Sequence, residues 1–369
     1  MRNVRFYMKL GEIIELSKGR KHLATDDTQA FRYLQIEDLN GTSNLKFTTE
    51  NGVFVNDNDI IIAWDGANAG KVGTGLTGVI GSTLARIAVD KSKVFPKYLF
   101  WFLYSKFDFI KSQRTGATIP HVSNSALRNL SIPISSLPDQ RRIATILDLA
   151  DSIRRKNREI LEKYNQLAQS VFLEMFGDPI RNDKKWDCYE IKSLGKISTG
   201  TTPSSLKSGM FGGNIPFVTP IDLDSGEPYK RFVTLDGAEN SRLVNKGALL
   251  VCCIGATVGK IRIAQELCAF NQQINAIQWE SRVNPIFGFH VFDFMRKEVI
   301  HRAISTTLPI LKKSEFEKIK MILPPKDIQD KFSIVINMVE NQKQLGINEM
   351  KKSDELFQSL LQRAFKGEL

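Results

Sequence analysis

The chain has 369 residues, 42% of them hydrophobic, and carries a formal net charge of +11. This length predicts two or three domains, and the charge favours an anionic partner such as a nucleic acid or a membrane surface. The longest apolar run, from Ala248 to Ile254, is too short to span a bilayer, and the N-terminus lacks the apolar core of a signal peptide. Four cysteines without a C-x-x-C pair predict neither a zinc site nor a disulfide framework, and they favour a reducing cytoplasm.

The first segment, residues 1–136, is rich in Gly, Thr and short β-branched runs. A run such as residues 59–64, bounded by polar residues and glycine, is typical of a strand. The string Gly66-Ala-Asn-Ala-Gly70-Lys71 that follows predicts a tight turn between strands. Residues 96–112 carry apolar side chains at helical spacing, so the segment as a whole predicts a mixed α and β domain.

The second segment, residues 137–176, predicts one long helix. Pro138 suits the start of a helix, Asp139 is an early acidic residue or cap, and Gly177 follows the end. Apolar residues alternate three and four apart, which is the spacing of a coiled-coil seam, at Ile143, Ile146, Ala150, Ile153, Ile160, Tyr164, Leu167 and Val171. Asn157 interrupts this seam, either as a buried residue that fixes the register or as a solvated residue at the rim.

The second half of the chain repeats the first half at a spacing of 189 residues. The repeated pairs include Gly66 and Gly255, Lys71 and Lys260, Pro96 and Pro285, Gln140 and Gln329, and Phe176 and Phe365. Near the N-terminus, residues 10–13 match residues 194–197 at a spacing of 184, which predicts a five-residue insertion in the second copy. A period of this length is that of a domain plus a connector rather than of a solenoid.

The repeat divides the chain into domain, connector, domain and connector, with boundaries at 1–136, 137–176, 177–325 and 326–369. The last connector has a poorer apolar stripe with a polar middle, and this middle lies opposite Asn157 if the two helices pair antiparallel. Residues 1–136 hold 17 Lys and Arg against 12 Asp and Glu, and residues 177–325 hold 20 against 15. Two basic domains held apart by nearly neutral helices fit a bipartite clamp for a polyanion.

Two stretches resemble enzyme motifs but lack residues that those motifs require. Asn284-Pro-Ile-Phe287 lacks the second proline of the amino-methyltransferase motif, and the start of a helix is the alternative. Gly255-Ala-Thr-Val-Gly-Lys260 has three residues between its glycines instead of four, which argues against a phosphate loop. The four histidines show no ligand spacing. The sequence therefore predicts no catalytic set, no metal site and no cofactor.

Candidate DNA contacts lie in the glycine turns and in the loop that closes each domain. Lys71 and Lys260 follow these turns and could contact phosphates. The loop at 114–123, and its counterpart from Ala303 to Lys313, is either a base-reading loop or an ordinary polar loop. Two adjacent glutamines could read adenine or could pair with backbone. The candidates from these segments are Lys71, Arg114, Thr118, His121, Ser123, Lys260, Gln272, Gln273, Lys312 and Lys313.

Five short motifs stand out along the chain: Leu194-Gly-Lys-Ile197, Gly200-Thr-Thr-Pro-Ser204, Ile215-Pro-Phe-Val218, Gly255-Ala-Thr-Val-Gly-Lys260 and Leu137-Pro-Asp-Gln-Arg-Arg-Ile143. Through these motifs, and over nearly its full length, the chain resembles the specificity subunits of type I restriction–modification systems. The order and repetition of the motifs are more specific than any one of them. Two departures are Lys18-Gly-Arg-Lys21 in the first copy and Pro325-Lys-Asp-Ile-Gln329 in the second connector.

The resemblance implies an α+β fold in which two target-recognition domains alternate with two long antiparallel coiled-coil helices, related by pseudo-twofold symmetry. It implies a non-catalytic subunit that reads an asymmetric bipartite target in double-stranded DNA and docks two methyltransferase subunits and restriction (translocase) subunits. Thr201 and Thr202, in the family-like motif, then join the DNA contacts. Partner docking is expected at Ile146, Ile153, Ile160, Leu167, Val171, Leu356 and Leu360.

Three other interpretations make different predictions. A self-sufficient methyltransferase or nuclease would need a complete cofactor or metal motif and would act on DNA alone. A scaffold whose basic domains bind protein would show no salt-dependent binding to duplex DNA. A recognition subunit of a two-subunit cutting enzyme outside type I is a closer variant, which the neighbouring genes would distinguish.

Overall fold

The computed structural model describes residues 6–41, 44–116, 118–204, 206–303 and 308–369. It divides into two compact units. Unit 1 comprises Met1–Glu159 and Ile347–Leu369, and unit 2 comprises Ile160–Gly346. Each unit therefore contains one mixed α and β domain and one half of each of two long helices.

Unit 1 consists of short strands followed by helices. Its strands are β1 (Phe6–Lys9), β2 (Ile14–Lys18), β3 (Phe31–Leu34), β4 (Phe47–Thr48), β5 (Phe54–Val55), β6 (Ile60–Ala63), β7 (Val72–Gly73), β8 (Gly78–Ile80), β9 (Leu84–Val89) and β10 (Ser131–Ile134). Its helices are α1 (Pro96–Ser105), α2 (Phe107–Ser112), α3 (Asn124–Asn129) and the first part of α4 (Leu137–Phe176), with 3-10 turns at Leu10–Glu12 and Ile36–Asn40. The helix predicted at residues 96–112 is thus present, with a break at Lys106.

Unit 2 repeats the order of the strands and has an additional short helix between its fourth and fifth strands. Its strands are β11 (Cys188–Glu190), β12 (Gly195–Thr199), β13 (Phe211–Val218), β14 (Phe232–Val233), β15 (Leu243–Val244), β16 (Leu249–Cys252), β17 (Ile261–Ile263), β18 (Cys268–Phe270), β19 (Ile274–Trp279) and β20 (Lys320–Ile322). Its helices are α5 (Leu235–Glu239), α6 (Pro285–Phe294), α7 (Arg296–Arg302), α8 (Lys313–Phe316) and the first part of α9 (Lys326–Lys366), with a 3-10 turn at Ile191–Ser193. Asn284 caps α6 by accepting the backbone N–H of Ile286 at 2.9 Å, so the Asn-Pro stretch is a helix start.

Sheet topology is the same in both units. Unit 1 has four-stranded sheets in the orders β2-β9-β6-β7 and β4-β3-β8-β5, and β1 pairs with β10. Unit 2 has β12-β19-β16-β17 and β14-β13-β18-β15, and β11 pairs with β20. In both units one pair is parallel: β3 with β8, and β13 with β18. The repeat in the sequence is therefore a repeat of the fold, and the predicted α+β class is confirmed.

The repeat alignment near the N-terminus was wrong by three residues. Leu10 begins a 3-10 turn between two strands, and its counterpart in unit 2 is Ile191 rather than Leu194. The offset there is 181 residues, because Lys9 pairs with Ser131 in unit 1 and Glu190 pairs with Lys320, the counterpart of Ser131, in unit 2. The sequence match was misleading because Leu-Gly-x-Ile recurs three residues after the structural equivalent.

The central strands are buried on both faces, which explains their unbroken apolar runs. In β6, Ile60 and Ile62 belong to the core beneath the helices, whereas Ile61 and Ala63 belong to a second core between the two sheets. Strand β16 alternates in the same way, with Leu249 facing one core and Leu250 the other. Because side chains on a strand alternate in direction, one strand connects two cores in each unit.

A buried glutamine joins the start of each long helix to its domain. The Gln140 side chain is fully buried, accepts the backbone N–H of Phe95 at 2.8 Å, and donates to the carbonyls of Lys93 and Ser135. Gln329 repeats these three bonds in unit 2, with Asn284 as its donor. The departure from the Leu-Pro-x-Gln pattern in the second connector therefore leaves the role of the glutamine unchanged.

The long helices pair antiparallel, as predicted. In unit 1 the Arg154 guanidinium donates to Asp354 at 2.7 Å and lies 4.1 Å from the centre of the Phe357 ring. Asn157 donates to the Ser353 hydroxyl at 3.1 Å, so it faces the polar middle of α9. In unit 2 a Cβ on Gly346 would lie 3.0 Å from Leu161, so this glycine permits close helix approach.

The buried face of α4 differs from the predicted seam. Ile143 and Ala150 are buried, but Ile153, Ile160 and Leu167 are each more than 40% exposed. Arg154 in unit 1 and Ala168 and Phe172 in unit 2 are buried instead. The sequence pattern misled because the guanidinium of Arg154 lies over the Phe357 ring and pairs with Asp354, so a charged residue occupies the buried line. Ile153, Ile160 and Leu167 form a second, exposed stripe on α4, the outward apolar stripe.

Candidate nucleic-acid interface

Each unit carries a glycine turn between two strands of its first sheet. The first glycine turn (residues 66–70) joins β6 to β7, and the second glycine turn (residues 255–259) joins β16 to β17. All four bounding glycines have φ between +87° and +94°, a conformation that favours glycine. The carbonyl of Ala63 accepts the N–H of Gly70 at 2.8 Å, and that of Cys252 accepts the N–H of Gly259 at 3.0 Å. The predicted tight turns are confirmed.

A second segment, the docked loop, lies against each glycine turn; it comprises residues 118–122 in unit 1 and 308–311 in unit 2. The N–H of Gly66 donates to Pro120 at 2.8 Å, and that of Gly255 donates to Pro309 at 2.9 Å. The predicted counterpart loop from Ala303 to Lys313 includes residues 304–307, which lie outside the described residues. Turn and loop thus form one backbone frame that is repeated in both units.

In unit 1 the frame holds a charged cluster that sequence reasoning found only in part. The Asp65 carboxylate lies 2.7 Å from the Lys18 ammonium and 2.5 Å from Nδ1 of His121. Burial acts to raise the pKa of Asp65, but the hydrogen bonds from Lys18 and His121 outweigh it and hold the pKa below its ordinary value. Lys18 and Asp65 were missed because they are 47 residues apart, although Lys18 begins the string in which the first copy departs from the family pattern.

The other candidates of unit 1 surround this cluster or stabilise it. Arg114 donates to the carbonyls of Ala67 and Ala69, so its guanidinium braces the first glycine turn. Lys71 is half-buried and donates to the side chain of Asn40. Thr118 is exposed on the docked loop. Ser123 caps α3 by accepting the N–H of Ala126 at 3.3 Å, which gives it a structural role.

In unit 2 the predicted polar residues meet at the same edge. Thr201 and Thr202 are exposed after β12, and the Thr202 hydroxyl donates to the exposed side chain of Gln272. Gln273 is half-buried: its amide donates to the carbonyl of Ile254 and accepts from Asn271 at 3.1 Å. The backbone-pairing alternative therefore describes Gln273, whereas Gln272 presents its side chain to solvent.

Three lysines complete the candidates of unit 2. Lys260 follows the second glycine turn as Lys71 follows the first, and its ammonium has no hydrogen-bond partner among the described residues. Lys312 and Lys313 are exposed at the start of α8, directly after the docked loop. Lys313 lies 3.4 Å from Glu317, an exposed ion pair that contributes little to stability. The frame thus carries positive charge in both units.

The residues predicted to dock partners fall into two groups. Ile153, Ile160, Leu167 and Leu356 are exposed on the long helices, and Ile146 is half-buried. Val171 and Leu360 pack against the cores of their own units. Met338 and Leu345 on α9 are also exposed, although the irregular stripe of that helix did not single them out.

The described parts of the chain contain neither a candidate metal cluster nor a candidate membrane-spanning helix. No cluster of three or more His, Cys, Asp or Glu side chains there could hold a metal ion. Of the described helices, none is long and apolar enough to cross a membrane. Three of the four free cysteines are buried, and burial raises the pKa of the Cys253 and Cys268 thiols to about 12.

Comparison with known proteins decides the family. The family model of the type I restriction modification DNA specificity domain matches residues 5–163 and again residues 183–356. The chain belongs to this family. It is a specificity subunit of type I restriction–modification, and therefore a DNA-recognition subunit rather than a catalytic one. The two matched ranges coincide with the two copies of the sequence repeat.

Relatives of this specificity subunit match most of its length. The MjaVIII specificity subunit from Methanocaldococcus jannaschii is 24% identical over 90% of this chain and 85% of its own length. The HindI specificity subunit from Haemophilus influenzae is 22% identical over 79% of this chain and 81% of its own. An S subunit structure from M. genitalium, 17% identical, has a TM-score of 0.68 and covers 99% of this chain and 97% of its own. The last comparison confirms the fold.

Proposed function

We propose that this specificity subunit reads an asymmetric, bipartite target in double-stranded DNA, with one half-site read by each unit. The observation that carries the proposal is the repeated frame of glycine turn and docked loop, which has the same backbone bonds in both units but different side chains. Two equal frames predict two equivalent binding modes. Two different sets of side chains predict two different half-sites, and therefore an asymmetric target.

Affinity and specificity come from different residues in this proposal. A phosphate contact needs only a positively charged side chain on an ordered backbone. In unit 2 such side chains are those of Lys260, Lys312 and Lys313. In unit 1, Lys18 and Lys71 are the corresponding cations, each held by a neighbouring side chain. Base contacts come from polar side chains on the same edge, which include Thr118, Thr202 and Gln272. Cytoplasmic location is part of the proposal, since DNA is the ligand.

Selection from a library of random duplexes tests the proposal directly. The full-length chain, with its co-expressed methyltransferase partner if one is encoded beside it, should enrich two different short motifs at a fixed spacing. Enrichment of a palindrome would contradict the assignment of different half-sites to the two units. Salt-insensitive binding without any motif would favour the scaffold interpretation instead.

The second part of the proposal is that the outward apolar stripe docks two methyltransferase subunits, which in turn bring the restriction subunits. Exposed isoleucine and leucine side chains at helical spacing are costly to leave in water and are typical of a partner surface. Ile153→Glu with Ile160→Glu should abolish co-purification with the methyltransferase subunit, because a charge buried without a partner costs several kcal/mol. The matched control is Thr145→Glu with Gln166→Glu, which adds equal charge at exposed polar positions of the same helix. Survival of co-purification in the isoleucine variant would exclude this surface.

A further inference from the structure

One position of the frame differs sharply between the units although its backbone is the same. An isolated bridge joins Asp65 to His121 in unit 1, and the equivalent bridge joins Ile254 to Ile310 in unit 2. The neighbouring backbone bonds are also equivalent: Val122 donates to Trp64 at 2.9 Å, and Leu311 donates to Cys253 at 2.8 Å. The backbone therefore presents the side chains of residues 121 and 310 in the same way, and only their chemistry differs.

The imidazole of His121 is held in one orientation but remains accessible. Its Nδ1 lies 2.5 Å from the Asp65 carboxylate, which is itself fixed by Lys18, and the His121 side chain is 44% exposed. In the neutral tautomer that donates from Nδ1 to the Asp65 carboxylate, Nε2 is an acceptor. No described residue forms a hydrogen bond with Nε2. A fixed ring with one accessible nitrogen can receive an amino group of adenine or cytosine.

The equivalent side chain in unit 2 offers the opposite chemistry. Ile310 is 43% exposed, and its bridging partner is also apolar. An exposed branched aliphatic side chain on a rigid backbone cannot form a hydrogen bond with a base edge. It can contact the C5 methyl group of thymine, which is the apolar feature of the major groove.

We infer that His121 and Ile310 are equivalent specificity-determining residues: His121 accepts from an amino group of one base in the first half-site, and Ile310 contacts a thymine methyl in the second. The inference rests on the proposed function, because it places both residues against DNA. A cation accompanies each position: Lys18 contacts the same carboxylate as His121, and the exposed Lys312 follows Ile310 by two residues. Phosphate contacts at these cations would bring the frame against the groove.

Single substitutions in the full-length chain test the assignment in a random-duplex selection. His121→Ala should relax one base pair of one half-site, with a loss of preference of roughly threefold to tenfold for one hydrogen bond. Ile310→Ala should relax one thymine-containing base pair of the other half-site. Both side chains are about half exposed, so both variants should fold, and a thermal melt of each variant checks this. Thr145→Ala, an exposed change on α4, is the matched control that should leave both half-sites unaltered.

A cycle with modified DNA then isolates the methyl contact. Replacing the thymine identified by Ile310→Ala with uracil removes only the methyl group, which should weaken wild-type binding about fourfold. The same replacement should have no effect on the Ile310→Ala variant. The double change Asp65→Ile with His121→Ile copies the unit 2 pair into unit 1, and it should convert the affected base pair of the first half-site to one containing thymine.

The outcomes separate failure of the inference from failure of the proposed function. If the wild-type chain enriches no motif, the proposed function fails and the inference fails with it. If the wild type enriches two half-sites and both alanine variants enrich the same ones with unchanged preference, the inference is wrong while the proposed function stands. If uracil weakened binding equally for the wild type and for Ile310→Ala, the inferred contact between Ile310 and the thymine methyl group would be ruled out.

Discussion

Unit 1 and unit 2 agree where the backbone is buried and differ where side chains reach solvent. Both units use a buried glutamine to fix the long helix, the same strand order, and the same hydrogen bonds between glycine turn and docked loop. At the exposed edge, however, unit 1 presents a Lys–Asp–His cluster and unit 2 presents isoleucines. The comparison shows that a frame made of backbone bonds tolerates large changes in surface chemistry, as the proposed reading of two different half-sites would require.

The largest expected effect concerns the positive charge that both units share. If each unit contacts phosphates, with roughly 6–10 contacts in all, DNA affinity should fall about a thousandfold between 50 and 200 mM salt. Fluorescence anisotropy with a labelled duplex that contains the selected target measures this fall. A flat salt profile would contradict a model in which both basic domains bind the DNA backbone.

Substitution of the two buried glutamines tests whether the hydrogen bonds in the interior contribute equally to the stability of the two units. Gln140→Leu removes the three hydrogen bonds that the side chain forms with the Phe95 N–H and with the carbonyls of Lys93 and Ser135, which should cost about 3 kcal/mol. Gln329→Leu should cost about as much, because it loses the same bonds. Amide hydrogen exchange, read on peptides of each unit, should show the loss of protection in the unit that carries the substitution. Equal loss in both units would mean that the two do not unfold separately.

Acid should destabilise unit 2 more than unit 1, because the same helical position holds a different residue in each unit. His290 is the sixth residue of α6 and packs against the rings of Phe172 and Phe332, and burial lowers its pKa to about 4. Trp101 occupies the sixth position of α1 and does not titrate. As the pH falls below about 6.5, the unfolded chain binds a proton that folded unit 2 excludes. The contribution of neutral His290 to the stability of unit 2 is therefore fully present above that pH and is lost progressively as the pH falls toward 4.

At pH 5 this loss should amount to about 2 kcal/mol in unit 2, as expected for a pKa difference that spans this range. Hydrogen exchange at pH 7.5 and pH 5, corrected for intrinsic rates, measures it. The variant His290→Phe supplies the control, since it should remove most of the acid effect on unit 2. Persistence of the effect in that variant would assign it to other groups.

The smallest expected effect compares the two turn lysines. Lys260→Gln should lower the salt slope of DNA binding by about 0.9, the value for one phosphate contact. Lys71→Gln should change it less, because Lys71 already donates to Asn40 and must exchange that bond for a phosphate. Binding titrations at four salt concentrations resolve the two slopes. A larger change for Lys71 than for Lys260 would reverse the inferred order.

The features that the sequence predicted correctly depend on local rules. Gly66 and Gly70 mark a turn because other residues rarely adopt a positive φ, and α4 ends at Phe176 because Gly177 follows it. The features that were missed depend on distant contacts. Asp65 and His121 are 56 residues apart, so no local pattern joins them. The buried face of α4 was misassigned because Arg154, a charged residue, lies over Phe357.

The burial of cysteines has a practical consequence for spectroscopy. All four thiols lie in unit 2, and Cys188 is exposed whereas Cys252, Cys253 and Cys268 are buried. Since a maleimide dye must reach the sulfur atom and the other three thiols are buried, the dye should attach at Cys188 alone in the folded chain. The native protein therefore carries one addressable position for a fluorophore, at the first residue of β11 in unit 2. Its emission would report on events in unit 2 without any engineered substitution.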